Sequence, residues 1–146
     1  MQLTSKAHYT LRSIIDLALH SKNQKPIKLY DISQRQSISL FYLEQLFRKL
    51  RMANIVFSVR GPGGGYLFKK LLKEISIKDI LDAVGENVYK RKKKTEEIVK
   101  NGTMEQRITQ MYFQKLDFLT REYFTKTTLH NLVSTASAKN SQTLSL

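Results

Sequence analysis

Apolar residues along the chain recur at two different spacings, and the switches between them mark its elements. From residue 7 to residue 20, Leu11, Ile14, Ile15 and Ala18 fall at helical spacing behind Thr4 and Ser5, residue types that suit a helix N-cap. The polar stretch 21–26 ends that helix. Two shorter helical patterns follow, residues 28–36 and 40–52, separated only by Ser37, Ile38 and Ser39, with Ser39 placed to cap the second. Two short helices joined by so tight a turn predict a helix-turn-helix. Alternation then replaces helical spacing. Residues 55–60 and 66–68 are β-prone and flank Gly61-Pro62-Gly63-Gly64-Gly65, which predicts a hairpin with a glycine tip, a wing. Ser76 and Asp79 have the form of a capping box, and Ile77, Ile80, Leu81 and Val84 lie at i, i+3, i+4 and i+7, so a further helix is expected to end near Gly85.

Beyond residue 85 the pattern changes character. Residues 86–102 read as a basic linker, and Met104, Ile108, Tyr112, Leu116, Leu119 and Tyr123 then trace an apolar stripe in steps of four or three along one long helix. Residues 103–133 are expected to hold that helix and a short terminal one. Residues 134–146, rich in Ser, Thr, Ala, Asn and Gln without periodicity, are expected to be disordered. The predicted class is mostly α with a small β-hairpin (α+β): a winged helix-turn-helix over residues 1–85 and a long C-terminal helix for self-pairing. A small winged domain cannot bury the whole stripe, so Ile108, Tyr112, Leu116, Leu119 and Tyr123 are assigned to a homodimer seam.

Charge narrows the function. The 146 residues carry 25 Lys and Arg against 12 Asp and Glu, a formal charge of +13, which favours a polyanionic partner. No run approaches the roughly eighteen apolar residues of a membrane span and no signal-peptide core follows Met1, so a cytoplasmic protein with no membrane partner is expected. The chain has no cysteine, which excludes disulfides, thiol catalysis and thiolate-bound metals, and the scattered His8, His20 and His130 offer no metal site. No nucleophile-and-base set or carboxylate pair emerges either, so no catalytic role is assigned.

The candidate chemistry lies on the second helix of the helix-turn-helix. At ~100° per residue, Leu40, Leu43, Leu46, Phe47 and Leu50 fall on one side, and Phe41, Tyr42, Gln45, Arg48 and Lys49 on the other. Gln bonds an adenine edge in two places, Arg and Lys bond guanine or phosphate, and Tyr reaches phosphate or a thymine methyl. Glu44, beside them, repels phosphate unless it accepts from a cytosine amine or filters out wrong sites. The cap Ser39 and the wing residues Arg60, Gly61, Gly63 and Gly64 complete the candidate set, Arg60 being placed to enter a minor groove. A phosphate-cradling nucleotide loop would need Lys followed by Ser or Thr after the last glycine, whereas Tyr66-Leu67-Phe68 follows. The run Lys90-Arg91-Lys92-Lys93-Lys94 reads as a solvated linker that can also add counterion release on DNA.

Taken together, Leu3-Thr4-Ser5-Lys6, Asp31-Ile32-Ser33, Ile38-Ser39, Tyr42-Leu43-Glu44-Gln45-Leu46-Phe47 and Ser58-Val59-Arg60-Gly61-Pro62-Gly63-Gly64-Gly65-Tyr66-Leu67 resemble the IscR-like family of iron-sulfur cluster regulators. The likeness is dense to about Val88 and weaker through Thr128-Leu129-His130-Asn131-Leu132-Val133. It implies a homodimeric winged-helix transcription regulator, repressor or activator, whose DNA-contacting residues match Tyr42, Glu44, Gln45 and Arg60. In such regulators three cysteines and a histidine hold a two-iron two-sulfur cluster that changes which operators are bound. An ungapped match puts Lys93, Val99 and Glu105 at the cysteine positions and Ile108 at the histidine position, so no cluster is expected. The resulting expectation is a sequence-specific, cluster-independent regulator of iron-sulfur assembly genes, answering to an unknown protein or small-molecule effector. A sequence-indifferent basic DNA-binding protein, and an interaction module acting through the long helix, are the alternatives.

Overall fold

The first helix, α1 (Ser5–His20), starts where the Thr4 side chain accepts from the Ala7 amide and stops at Ser21, whose amide bonds back to Leu17. Its buried face is not the purely apolar one its spacing predicts. Ile14 is buried, but Leu11, Ile15 and Ala18 only lean on the core, while Ala7, Thr10, Ser13, Asp16 and Leu17 are buried. Polar residues are tolerated there because each is satisfied internally. Thr10 Oγ1 donates to the Lys6 carbonyl at 2.7 Å and Ser13 Oγ to the Thr10 carbonyl at 2.9 Å. Arg35 and Gln36 both donate to the Asp16 carboxylate.

That carboxylate ties α1 to α2 (Leu29–Gln36). Helix α2 ends at Ser37 in the left-handed region (φ 53°), a conformation that costs a non-glycine residue. The turn is held by Ser33 Oγ donating to the Ile38 carbonyl at 2.7 Å, by the Ile38 amide on the Ser33 carbonyl, and by the burial of Ile38. Ser39 then caps α3 (Leu40–Met52), its hydroxyl accepting from the Tyr42 amide. Leu43, Leu46, Phe47 and Leu50 are the buried face of α3, and the predicted helix-turn-helix is the observed one. Strands β1 (Val56–Val59) and β2 (Gly65–Phe68) pair antiparallel, Val56 opposite Phe68 and Val59 opposite Gly65. Their glycine-rich tip makes the hairpin a wing.

Helix α4 (Ile77–Ala83) begins with the reciprocal Ser76 and Asp79 capping box and buries Ile77, Ile80 and Leu81. The computed structural model describes residues 3–86 and 101–144, with side chains to residue 138. The basic run Lys90-Arg91-Lys92-Lys93-Lys94 and most of the expected linker lie outside the described residues. Helix α5 (Met104–Lys126) opens on a capping box between Thr103 and Gln106.

The last element departs from expectation. Helix α6 (Leu129–Leu144) runs through most of the segment read as disordered, and the terminal helix is not short. Its start is fixed by Thr128, whose amide donates to Asn131 Oδ1 at 2.9 Å while Asn131's amide donates back to Thr128 Oγ1, and by the fully buried Leu129. Once nucleated, a helix extends at little cost per residue, and Ala136 and Ala138 are strong helix formers. The division expected at residue 85 also cuts through packing, because Leu129 belongs to the core of the winged unit and Phe124, Leu132 and Val133 lean on it. The Leu129 amide bonds the Ile75 carbonyl and the Ile77 amide bonds Thr127, so backbone hydrogen bonds join the α5–α6 corner to the lead into α4.

Candidate nucleic-acid interface

Burial of one side of α3 leaves the other projecting, and the projecting side carries the chemistry. Phe41, Glu44, Gln45, Arg48, Lys49 and Met52 are exposed. At ~100° per residue Phe41, Gln45, Arg48 and Met52 form the outermost crest, with Glu44 on one flank and Lys49 on the other. Ser39 is exposed at the head of the helix but its hydroxyl is engaged as the cap. Tyr42 is not on the crest. It is half-buried, its ring edge-on to Tyr9 with centroids 6.0 Å apart. Burial, then the charge of Glu86 and the neighbouring Tyr9, push its hydroxyl above the usual tyrosine range, so it stays a neutral donor.

The wing is fixed against this helix. The Phe47 and Tyr66 rings meet edge-on at 5.1 Å, and Tyr66 exchanges backbone hydrogen bonds of 2.8 and 3.1 Å with Ile27. Close approach explains Gly65, where an added Cβ would run into the Ile27 backbone. Gly61 (φ 89°) and Gly63 (φ 73°) turn the tip through conformations that L residues avoid, and both face open space. Gly64 is different: it is buried, its amide bonds the Gly61 carbonyl at 2.9 Å, and a Cβ would meet the backbone of Val59 and Gly61. Its lack of a side chain lets the tip close, and of the wing residues assigned to DNA contact it is the one that is buried. Arg60 stands exposed at the base of the tip.

Between wing and helix lies a shallow cleft lined by Lys28, Tyr30, Glu44, Val59 and Gly61. Sequence reading did not single out Lys28 and Tyr30. Their signal was present, since both are polar-ended positions at the head of α2 beside the buried Leu29, but nothing local says that the wing folds over towards them. Behind the helix-turn-helix, burial pushes the Asp16 carboxyl up, but the Arg35 and Gln36 hydrogen bonds and the Arg35 and His20 charges outweigh it and hold it below the usual aspartate value. Arg12 Nη2 adds a bond to the Gln36 carbonyl. Together they brace α1 against the end of α2, where the turn into α3 begins.

A second candidate surface is α5. No side chain of α5 is buried, and Ile108, Tyr112, Leu116, Leu119 and Tyr123 are between 48 and 70 % exposed, with Met104, Met111 and Phe118 beside them. Of its six half-covered positions, Gln110, Asp117, Arg121 and Phe124 lie nearly opposite on the helix wheel, Thr120 lies between and Glu122 flanks the stripe. The apolar stripe therefore points away from the chain's own core.

The residues present do not fit the iron-sulfur cluster of the resembled regulators. The chain has no thiolate to offer. Lys93 and Val99 lie outside the described residues. Glu105 is an exposed first-turn residue of α5 held below the usual glutamate range by its own backbone amide and by Thr103, and Ile108 is an alkyl chain. One carboxylate cannot supply the several soft donors such a cluster requires. Among the described residues no helix is long and apolar enough to cross a membrane.

Known proteins share both the sequence and the architecture. The chain is 52% identical over 88 residues to a putative HTH-type transcriptional regulator of Azotobacter vinelandii, a match covering 60% of this chain and only 53% of that relative. It is 42% identical over 134 residues to the HTH-type transcriptional regulator IscR of Erwinia tasmaniensis, covering 92% of this chain and 79% of the relative. Among solved structures, CymR, the global cysteine regulator of B. subtilis, superposes with a TM-score of 0.77 at 27% identity, covering 92% of this chain and 97% of that one. These relatives are transcriptional regulators rather than enzymes, and the observed winged helix-turn-helix is theirs. The family model described as "Iron-dependent Transcriptional regulator" matches residues 3–135, and the chain belongs to that family, Rrf2.

Proposed function

We propose that this chain is a homodimeric, sequence-specific regulator of transcription acting in the cytoplasm on double-stranded DNA. Two copies of α3 enter successive major grooves, and two wings carry Arg60 into the flanking minor grooves. The observation that carries this reading is that α3 and the wing border one cleft, Glu44 with Val59 and Gly61, and leave Gln45, Arg48 and Arg60 exposed on parts that the Phe47 and Tyr66 contact holds together. Gln45 reads adenine, Arg48 and Lys49 take guanine or phosphate, and Arg60 takes the narrow groove. Glu44, facing the cleft, penalises sites that offer it phosphate instead of an amine donor.

The homodimer forms through the outward apolar stripe of α5, which stands exposed among the described residues. Regulation proceeds without an iron-sulfur cluster, because the donor set cannot hold one, and an unidentified protein or small-molecule effector takes its place. The resemblance to IscR-like regulators supports iron-sulfur assembly genes as targets. Selection of duplexes from a randomised pool by the purified full-length chain, without added iron, tests the reading. The expected product is a two-fold symmetric motif with half-sites about one helical turn apart, and a pool that returns no shared motif contradicts it.

A further inference from the structure

The crest of α3 is led by a side chain that cannot hydrogen-bond. Phe41, on the first turn, is 70 % exposed, in line with Gln45 and Arg48. Single exposed apolar residues are ordinary on protein surfaces, but this one occupies the foremost position of the helix that carries the reading groups. Its neighbour Tyr42 turns inward onto Tyr9, which leaves the phenyl ring as the leading group at that end. Resting on the DNA-reading surface proposed above, the inference concerns what the ring meets there. Of the four unmodified bases only thymine shows an apolar group in the major groove, its 5-methyl.

We infer that Phe41 reads a thymine methyl and makes that base a fixed element of each half-site. Position follows from helix geometry. Side chains at i and i+4 lie roughly 5–6 Å apart, and base pairs stack about 3.4 Å apart. The thymine therefore lies within two base pairs of the adenine bonded by Gln45. Arg48 and Lys49, farther along the helix, supply the cationic hold that keeps the ring in the groove.

The test uses duplexes recovered by the full-length chain, remade with deoxyuridine replacing thymidine at one symmetric pair of positions at a time. Each is titrated with wild type, Phe41→Ala and Phe41→Met, whose melting temperatures are compared to confirm folding. One thymine position, within two base pairs of the adenine whose identity Gln45→Ala relaxes, is expected to cost wild type about four-fold per half-site, the factor carried by one buried methyl group. Phe41→Ala is expected to bind the thymine and uracil duplexes alike, and Phe41→Met to keep the preference. A wild type indifferent to every replacement, or a Phe41→Ala variant that discriminates as before, overturns the inference while sequence-specific binding stands. A pool without a shared motif overturns both.

Discussion

Arg60 and Gln45 carry different parts of the proposed recognition, and their removal should read differently. Arg60, exposed at the wing base, is a cation for a groove whose negative potential deepens as it narrows. Arg60→Ala is expected to weaken specific binding at least about ten-fold, equivalent to losing one good charged contact, as measured by titration at physiological salt. Gln45, on the α3 crest, is proposed to make a paired contact to one base. Gln45→Ala is therefore expected to leave affinity for variant sites nearly unchanged and to lose about 1–3 kcal/mol of preference at a single position, seen by repeating the duplex selection with the variant. The exposed placement of both was legible in the sequence, Gln45 from its position opposite Leu43, Leu46 and Leu50 on α3 and Arg60 from its position beside the glycine tip. Tyr42 and Gly64 were not. Their inward placement depends on Tyr9, Val59 and Gly61, contacts that local spacing does not encode.

At the scale of elements, the brace behind the helix-turn-helix is the part least visible from periodicity. Asp16 breaks the apolar pattern of α1, and only its fold-level partners Arg35 and Gln36 explain why a carboxylate is buried there. Removing one member of such a buried pair typically costs about 3–5 kcal/mol. Asp16→Ala is expected to lose about 3 kcal/mol of stability, because Arg35 still reaches water and is not stranded; denaturant unfolding checks this. The Asp16 carboxyl lies below its ordinary value in the folded chain, so its contribution is fully present above the unfolded value of about 3.9 and is lost as pH falls through the lower, folded value. The stability advantage of wild type over Asp16→Asn should therefore shrink in melts taken on descending below about pH 4. The wing supplies a second element-level test. Gly65→Ala drives a Cβ into the Ile27 backbone and should loosen the hairpin from α2, lowering both melting temperature and specific binding.

At the scale of the molecule, the winged unit and the long helix are mechanically continuous. The Leu129 side chain completes the core, and the bonds joining Thr127 and Leu129 to Ile77 and Ile75 fix the end of α5 against α4. A dimer built on the α5 stripe thereby sets the distance and angle between two reading helices. Leu116→Asp, at mid-stripe, is expected to yield a monomer in analytical ultracentrifugation and to reduce operator binding far more than any single contact residue does, since both half-sites are no longer engaged together. The order of elements, the Ser76 and Asp79 capping box and the stripe were readable as local patterns, whereas the Thr103 and Gln106 box was not singled out. The extent of α6 was not, because its Ser- and Thr-rich composition carries no period and its helix is seeded by the Thr128 and Asn131 cap and by Leu129.

The central claim is specificity, as opposed to the unselective DNA affinity that a charge of +13 would give any chain. The measurement that tests it most directly is the affinity of the full-length chain for its selected duplex and for a scrambled duplex of the same composition, across a salt series. The account predicts that the selected duplex binds at least about a thousand-fold more tightly at physiological salt, with similar salt slopes for the two. Equal affinities falling together steeply with salt would contradict it and leave a basic protein that holds DNA without reading it.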